Sequence, residues 1–267
     1  MKKLLIIIPA FDEEANISNL LKNLCIPEIE DLADILVIND ASRDQTGLII
    51  KKHSIKMVTH VFNLGYGSAL QVGYKYAVRN NYDYVVQIDA DGQHCISNIF
   101  HIYNCLNTPD KEGNLPDIVI GSHFVRGSRS FKISGIKKFS IRLFSWIIKK
   151  TTGRIIKDPT SGLQGLNRKA FLYYSKYGNF DHSYPDANMI IQMLLLGFRI
   201  EETASVMHER RAGISMHTGL IKQMTYMLVM PLSTLTTALR IKKERGKLIH
   251  DFREFDNKSE MGAPSQG

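Results

Sequence analysis

Hydrophobic positions in the first half of the chain fall into short, nearly continuous runs separated by polar turns. Leu4–Ile8, Ile35–Ile38, Lys56–Val58, Tyr84–Ile88 and Ile118–Ile120 are rich in Ile, Leu and Val. Strands covered on both sheet faces have this character. Between them, Ala15–Leu24, Gln45–Lys52, Ser68–Arg79 and Ile96–Leu106 have helical length and spacing. Alternation of the two predicts an α/β fold: a mostly parallel central sheet with helices on both faces. Ligands then belong at the carboxyl ends of the strands. A further helix is expected from about Phe139 to Lys150, after a basic loop at Arg126–Lys138.

Composition narrows the class. The 267 residues are 44% hydrophobic and 22% charged, enough for a sizeable core. Lys and Arg exceed Asp and Glu by 34 to 26, a net charge of +8. The three cysteines, Cys25, Cys95 and Cys105, form no CxxC pair, which argues against a disulfide framework or zinc knuckle and suits a reducing cytoplasm. No secretory signal is read at the start, because Pro9 and the acidic Asp12-Glu13-Glu14 cut the first apolar run short. The uncharged 17-residue stretch Gln223–Leu239 contains Pro231 and is followed by Arg240, Lys242, Lys243, Arg245 and Lys247. That pattern predicts a helix lying on an anionic membrane rather than crossing it, with an ordinary core or homodimer helix as the competing explanation.

Polar chemistry gathers at the ends of the predicted strands. Asp89 and Asp91 alternate at the end of one, so both carboxylates can face a single cation, and Gln93 can add a neutral oxygen. A solvated turn is the plainer reading of an isolated Asp-x-Asp; the central-strand placement favours the cation. Pro9-Ala10-Phe11-Asp12-Glu13 and Asn39-Asp40 close two more strands, where Glu13 and Asp40 can accept from a nucleoside or cap helices. Asp44 reads as a pure cap. Gly65 and Gly67 precede a helix and permit close backbone approach. Asp158-Pro159-Thr160-Ser161-Gly162 reads as a tight turn, and Asp186 opens an apolar helical run to Leu196. Arg210, within Glu209-Arg210-Arg211, suits a phosphate clamp, with ordinary surface charge as the plainer reading.

In order along residues 4 to about 216, these segments resemble a family 2 glycosyltransferase of the GT-A fold, in the branch of dolichyl- and polyprenyl-phosphate sugar synthases. The resemblance implies that Pro9, Ala10, Glu13, Asp40, Gly65, Gly67 and Asp89 hold the nucleotide of a sugar donor. It implies that Asp89, Asp91 and Gln93 bind Mg²⁺ or Mn²⁺, that Arg210 steadies the departing phosphate, and that Asp186 lies near the position of a base. Such an enzyme moves a hexose, with inversion, from a nucleotide sugar to a polyprenyl phosphate or lipid-linked glycan at the inner face of the cell membrane. A uridine donor is preferred because Asp40 can accept from uracil N–H, with guanosine, which offers similar donors, as the alternative. The acceptor side falls on His123, Arg126, Lys137, Ser140, Arg142 and Ser161. His123 stands where these synthases usually carry arginine, Lys137 and a shifted Ser140 stand for an Arg/Ser pair, and Asn39 replaces an aspartate. A sugar hydroxyl therefore competes as acceptor. The expected organisation is a catalytic domain at 1–215, interfacial helices at 216–256 and a disordered tail at 257–267. A nucleotidylyltransferase is disfavoured by the acidic first loop. An inactive basic adaptor for nucleic acid or membrane is disfavoured by the acidic pocket, and no nucleic-acid partner is expected.

Overall fold

The computed structural model describes residues 3–129, 135–208, 229–246 and 248. All five expected strands form: β1 (Leu4–Ala10), β2 (Ala33–Asn39), β3 (Lys56–Thr59), β4 (Tyr84–Gln87) and β5 (Ile118–Ser122). Two more join them, β6 (Gln164–Asn167) and β7 (Ile200–Ala204), in one seven-stranded sheet of order β3-β2-β1-β4-β6-β5-β7. Strands β3, β2, β1 and β4 are parallel. Strand β6 runs antiparallel to both β4 and β5, while β5 and β7 are parallel.

The reversed strand matters for function. Because Gln164 at the start of β6 pairs with Gln87 at the end of β4, the turn before β6 reaches the sheet edge where β1, β2, β4 and β5 all end. Polar turns distant in sequence meet there.

Alternate residues of β1 divide the core. Leu5 and Ile7 pack beneath α4 (Tyr66–Arg79), α7 (Arg168–Ser175) and α8 (Ala187–Leu196). Leu4, Ile6 and Ile8 pack against α1 (Glu14–Leu24), α3 (Thr46–Lys52) and α5 (Ser97–Leu106) on the other face. Helix α1 buries Ile17, Leu20, Leu21 and Leu24 at helical spacing. The short α2 (Pro27–Leu32) begins with proline, whose missing N–H costs nothing at that position. Helix α6 (Gly135–Thr152) starts four residues earlier than the sequence pattern suggests, so Lys137 and Lys138 belong to the helix. Helix α7 is capped by Asn167, whose side chain accepts from Ala170 N at 2.9 Å. Gly197, with φ of 91°, ends α8 in the left-handed conformation.

Residues 229–246 are helical. Met230, Thr234, Ala238 and Ile241 are buried, and Leu232, Leu235 and Leu239 are exposed. Asn188 Nδ2 of α8 donates to Ser233 Oγ at 3.0 Å, and Arg240 donates to Gln192 Oε1 at 2.8 Å. Half of the proposed 216–256 segment is thus fastened to the catalytic fold. Among the described residues, no helix is long and apolar enough to cross a membrane.

Candidate active site

Asp89 and Asp91 follow β4 at the shared strand edge. Asp89 Oδ1 accepts from the Tyr66 hydroxyl at 2.9 Å, and Asp91 Oδ1 accepts from Gln93 N at 3.0 Å. Burial and the negative charges of Asp91 and Asp186 push the Asp89 carboxyl up to about 7, against the opposing pull of Tyr66 and Lys137. The charges of Asp186 and Lys137 are therefore felt at Asp89. A divalent cation between the two carboxylates offsets both burial and repulsion, so the residues present fit a hard cation. Among the described residues, no group of three or more His, Cys, Asp or Glu side chains gathers around a metal position. An open site completed by diphosphate oxygens and water is the arrangement such a pair supports.

The turn before β6 packs on Asp89 and is itself braced by side chains. Gly162, in the turn before β6, packs directly against its carboxylate and leaves no space for a β-carbon. Gln87 Nε2 donates to Gly162 O at 3.0 Å, and Gln87 Oε1 accepts from Tyr74 Oη. Ser161 is 4% exposed and donates its hydroxyl to Gly121 O at 2.7 Å, bracing the same turn to β5.

Three residues that drew no separate assignment in the sequence complete the wall. Asp158, almost fully buried, accepts from both His123 N at 3.0 Å and His123 Nδ1 at 2.5 Å. The His123 ring stacks on His94 with centroids 5.9 Å apart, and His94 Nε2 lies 4.0 Å from Asp89 Oδ2. Burial, then the neighbouring His123, depresses His94 to about 3, so its imidazole is neutral. Tyr66 is the third. Tyr66 lies between Gly65 and Gly67, His94 next to Gln93 and Asp158 at the head of the 158–162 turn, but only the fold brings positions 66, 94 and 158 to one carboxylate pair.

Asp40 is 3% exposed and accepts from Leu64 N at 2.9 Å, Gly65 N at 2.8 Å and His60 Nδ1 at 2.6 Å. The donors of the glycine loop thus hold an internal carboxylate at the start of α4. Of about four acceptor positions on a carboxylate, one remains. Gly65 needs its φ of 92°, and a β-carbon on Gly67 would meet the carbonyls of Asp181 and His182. The expected close approach at this loop is made by the 181–182 turn. Pro9 and Ala10 are buried in β1, and Ala10 O accepts from Asp40 N at 2.9 Å. Glu13 accepts from Asn16 Nδ2 at 2.7 Å, next to α1. Asp44 behaves as the cap expected of it, accepting from Thr46 N and Glu14 N.

Gln93 Nε2 donates to His208 O at 3.2 Å, and Gln93 O accepts from His208 N at 2.7 Å. Arg210 lies outside the described residues, two positions past His208. Asp186 precedes α8 and makes no side-chain capping bond to it. Ser140 is buried in α6, whereas Arg126 and Arg142 are exposed.

This geometry agrees with the chain's relatives. Residues 5–173 match the model of glycosyl transferase family 2. The chain belongs to that family. It is a glycosyltransferase of the GT-A fold. It is 25% identical to the undecaprenyl-phosphate mannosyltransferase of Micrococcus luteus, over 81% of this chain and 88% of that one. It is 28% identical to the UDP-N-acetylglucosamine–dolichyl-phosphate N-acetylglucosaminyltransferase of Methanococcus voltae, over 66% of this chain and 73% of that one. Among the curated relatives, the matched share of the relative's own length runs from 40% to 88%. Glucosyl-3-phosphoglycerate synthase of Mycobacterium tuberculosis, solved with Mn²⁺, uridine diphosphate and phosphoglyceric acid, superposes with a TM-score of 0.63 at 17% identity, covering 89% of this chain and 78% of that one.

Proposed function

We propose that this glycosyltransferase moves a hexose from a uridine-diphosphate sugar to a polyprenyl phosphate, with inversion at the anomeric carbon. The observation that carries the reading is the Asp89/Asp91 pair at the shared strand edge, on which the charge of Lys137 at the start of α6 acts: acids suited to a cation on the donor, and a cation suited to an anionic acceptor. Names of the relatives that act on lipid phosphates support it, as does the Mn²⁺ and uridine diphosphate in the structural neighbour.

In this reading Asp40 offers its remaining acceptor position to the base, and the buried Pro9–Ala10 strand end supports the nucleoside. Asp89 and Asp91, with Gln93 beside them, hold Mg²⁺ or Mn²⁺, which neutralises charge growing on the diphosphate. Lys137 orients the acceptor phosphate, with His123, Ser140, Arg126 and Arg142 as further candidates for that role. One phosphate oxygen attacks the anomeric carbon as the bond to the diphosphate oxygen breaks, and that oxygen keeps the electron pair. Arg210 stabilises the departing group. The attacking oxygen is already anionic, so no proton need be removed. Asp186, facing Asp89 and Tyr66, favours a second reading in which a sugar hydroxyl is the acceptor and Asp186 takes its proton.

The residues 1–215 form the catalytic unit, and the exposed leucines of 229–246 lie against a membrane surface. The deciding experiment offers uridine- and guanosine-diphosphate sugars with Mn²⁺, with and without a polyprenyl phosphate. Lipid-dependent release of uridine diphosphate, lost in Asp91→Ala, supports the proposal; transfer that survives in Asp91→Ala rejects it.

A further inference from the structure

We propose that Asn188 of α8 is a positioning residue for the candidate active site: its buried amide sets the place of the glycine loop and of Asp186 together. This rests on the reading above that puts the nucleotide of the donor at Asp40, the carboxylate which that loop holds.

Asn188 is 2% exposed, and its side-chain amide is used in full. Its Oδ1 accepts from Asp186 N at 3.0 Å and from Met189 N at 2.9 Å. Its Nδ2 donates to Asp181 Oδ2 at 2.7 Å and to Ser233 Oγ at 3.0 Å, so the side chain is held from three directions. Two routes lead from it to the active site. Along the first, Asp181 Oδ1 accepts from Ser183 N at 2.8 Å and from Tyr184 N at 3.0 Å. That carboxylate folds its own turn, and Asn188 fixes the turn to α8. The carbonyls of Asp181 and His182 lie where a β-carbon on Gly67 would fall, and Ser68 Oγ is 3.2 Å from His182 Nδ1. Pressed against this turn, the loop aims the Leu64 and Gly65 N–H groups at Asp40 and the Tyr66 hydroxyl at Asp89. Along the second route, the Asn188 carbonyl holds the backbone of Asp186, whose charge acts on Asp89 and Tyr66. The place calls for a group that donates on one side and accepts on the other. Aspartate there would keep the acceptor bonds but set a second carboxylate against Asp181, and like charges that close repel strongly when water is scarce.

A swap of the two residues keeps one amide and one carboxylate in the same contact and so provides the test, made on the full chain with Mn²⁺ and uridine diphosphate. Asn188→Asp is expected to weaken uridine diphosphate binding at least about tenfold in isothermal titration, the scale of one lost hydrogen bond to a charged group. Asp181→Asn breaks the same bond from a half-buried position and should do likewise, so the test survives if Asn188→Asp fails to fold. Amide hydrogen exchange at Leu64 and Gly65 should quicken in both. Asp181→Asn combined with Asn188→Asp should bring affinity and exchange back to within about threefold of the parent, because the coupled pair is restored. A lower melting temperature with unchanged affinity and unchanged exchange would leave Asn188 a merely structural residue and overturn the proposal. A double variant no better than the single ones would overturn it as well. If the parent binds neither uridine nor guanosine diphosphate, while exchange quickens in each single variant and recovers in the swap, the donor reading is wrong and the positioning role stands.

Discussion

Gly162 stands against the carboxylate of Asp89 so closely that a β-carbon there would lie 2.7 Å from Oδ1 and nearer still to Oδ2. Gly162 has a negative φ, so its requirement is space rather than backbone freedom. Gly162→Ala must push Asp89 out of line with Asp91. Overpacking of this kind costs about 1–3 kcal/mol, which a folded domain survives. The expected outcome is a melting temperature lowered by several degrees and transfer reduced about a hundredfold or more. Isothermal titration with Mn²⁺ and uridine diphosphate checks whether the loss lies in donor binding.

Asp40 gives a second prediction because its carboxylate is shared between folding and binding. Removing the buried Asp40 carboxylate in Asp40→Ala takes away the shared partner of the Leu64 and Gly65 N–H groups and of the His60 ring. Loss of one partner of a buried charged network costs about 3–5 kcal/mol. Urea denaturation should show a drop of that order, whereas Glu13→Ala, whose side chain bonds to Asn16 nearer the surface, should cost about 1 kcal/mol. Equal costs would mean that Asp40 is not the anion held by the glycine loop.

Asp44 supplies a test in pH. Burial raises its pKa, but bonds from the Thr46 hydroxyl and from the N–H groups of Thr46 and Glu14 outweigh that and hold it below the usual 3.8. The folded value lies below the unfolded one, so the stabilisation is fully present above pH 3.8 and is lost as pH falls through the folded value. Asp44→Ala should therefore destabilise by about 0.5–2 kcal/mol at neutral pH. The difference from the parent chain should close in acid. Thermal melts from pH 7 down to pH 2.5 measure it; a gap that widens in acid contradicts the assignment.

How much of this was legible depends on where the information lies. Five strands announced themselves because runs such as Leu4–Ile8 are buried on both faces, which demands continuous apolar sequence. Strand β6 reads Gln-Gly-Leu-Asn, and its glycine is required because Ile102 of α5 fills the β-carbon position. Strand β7 reads Ile-Glu-Glu-Thr-Ala and lies at the sheet edge, where one side faces water. Neither carries a run long enough to be seen. The same division holds in the site. Asp89 and Asp91 are local and were visible, but the Tyr66 bond to Asp89 spans 23 residues and the His123 pair with Asp158 spans 35. Only the reversed β6 brings the 158–162 turn to that edge.

The Asp158–His123 pair yields a fourth prediction. Asp158 N and Lys157 N both donate to Glu202 at 2.8 Å, so the carboxylate that orients His123 is itself fixed to β7. Asp158→Asn removes the charge but keeps the volume, and it should free the His123 ring to reorient beside His94. If His123 orients the acceptor, the Michaelis constant for acceptor should rise about tenfold while that for donor stays put. A change confined to the donor would assign the histidine pair to the metal side of the pocket.

Asp186→Asn separates the two acceptor classes. Asp186 heads α8 without capping it, and its negative charge reaches both Asp89 and the Tyr66 hydroxyl. That position can serve either as a base or as a fixed charge. A lipid phosphate arrives with its oxyanion formed, so the asparagine variant would retain transfer within about tenfold of the parent. A sugar hydroxyl must lose a proton as it attacks, and general base catalysis contributes about 10²–10⁴-fold. The same variant would then lose that much in turnover, with little change in donor affinity. Because Asn preserves the shape and the N-terminal position of α8, the melting temperature should move by only a few degrees. Single-turnover rates with a polyprenyl phosphate and with a sugar acceptor, compared in the parent and in Asp186→Asn, therefore assign the acceptor from the size of the loss.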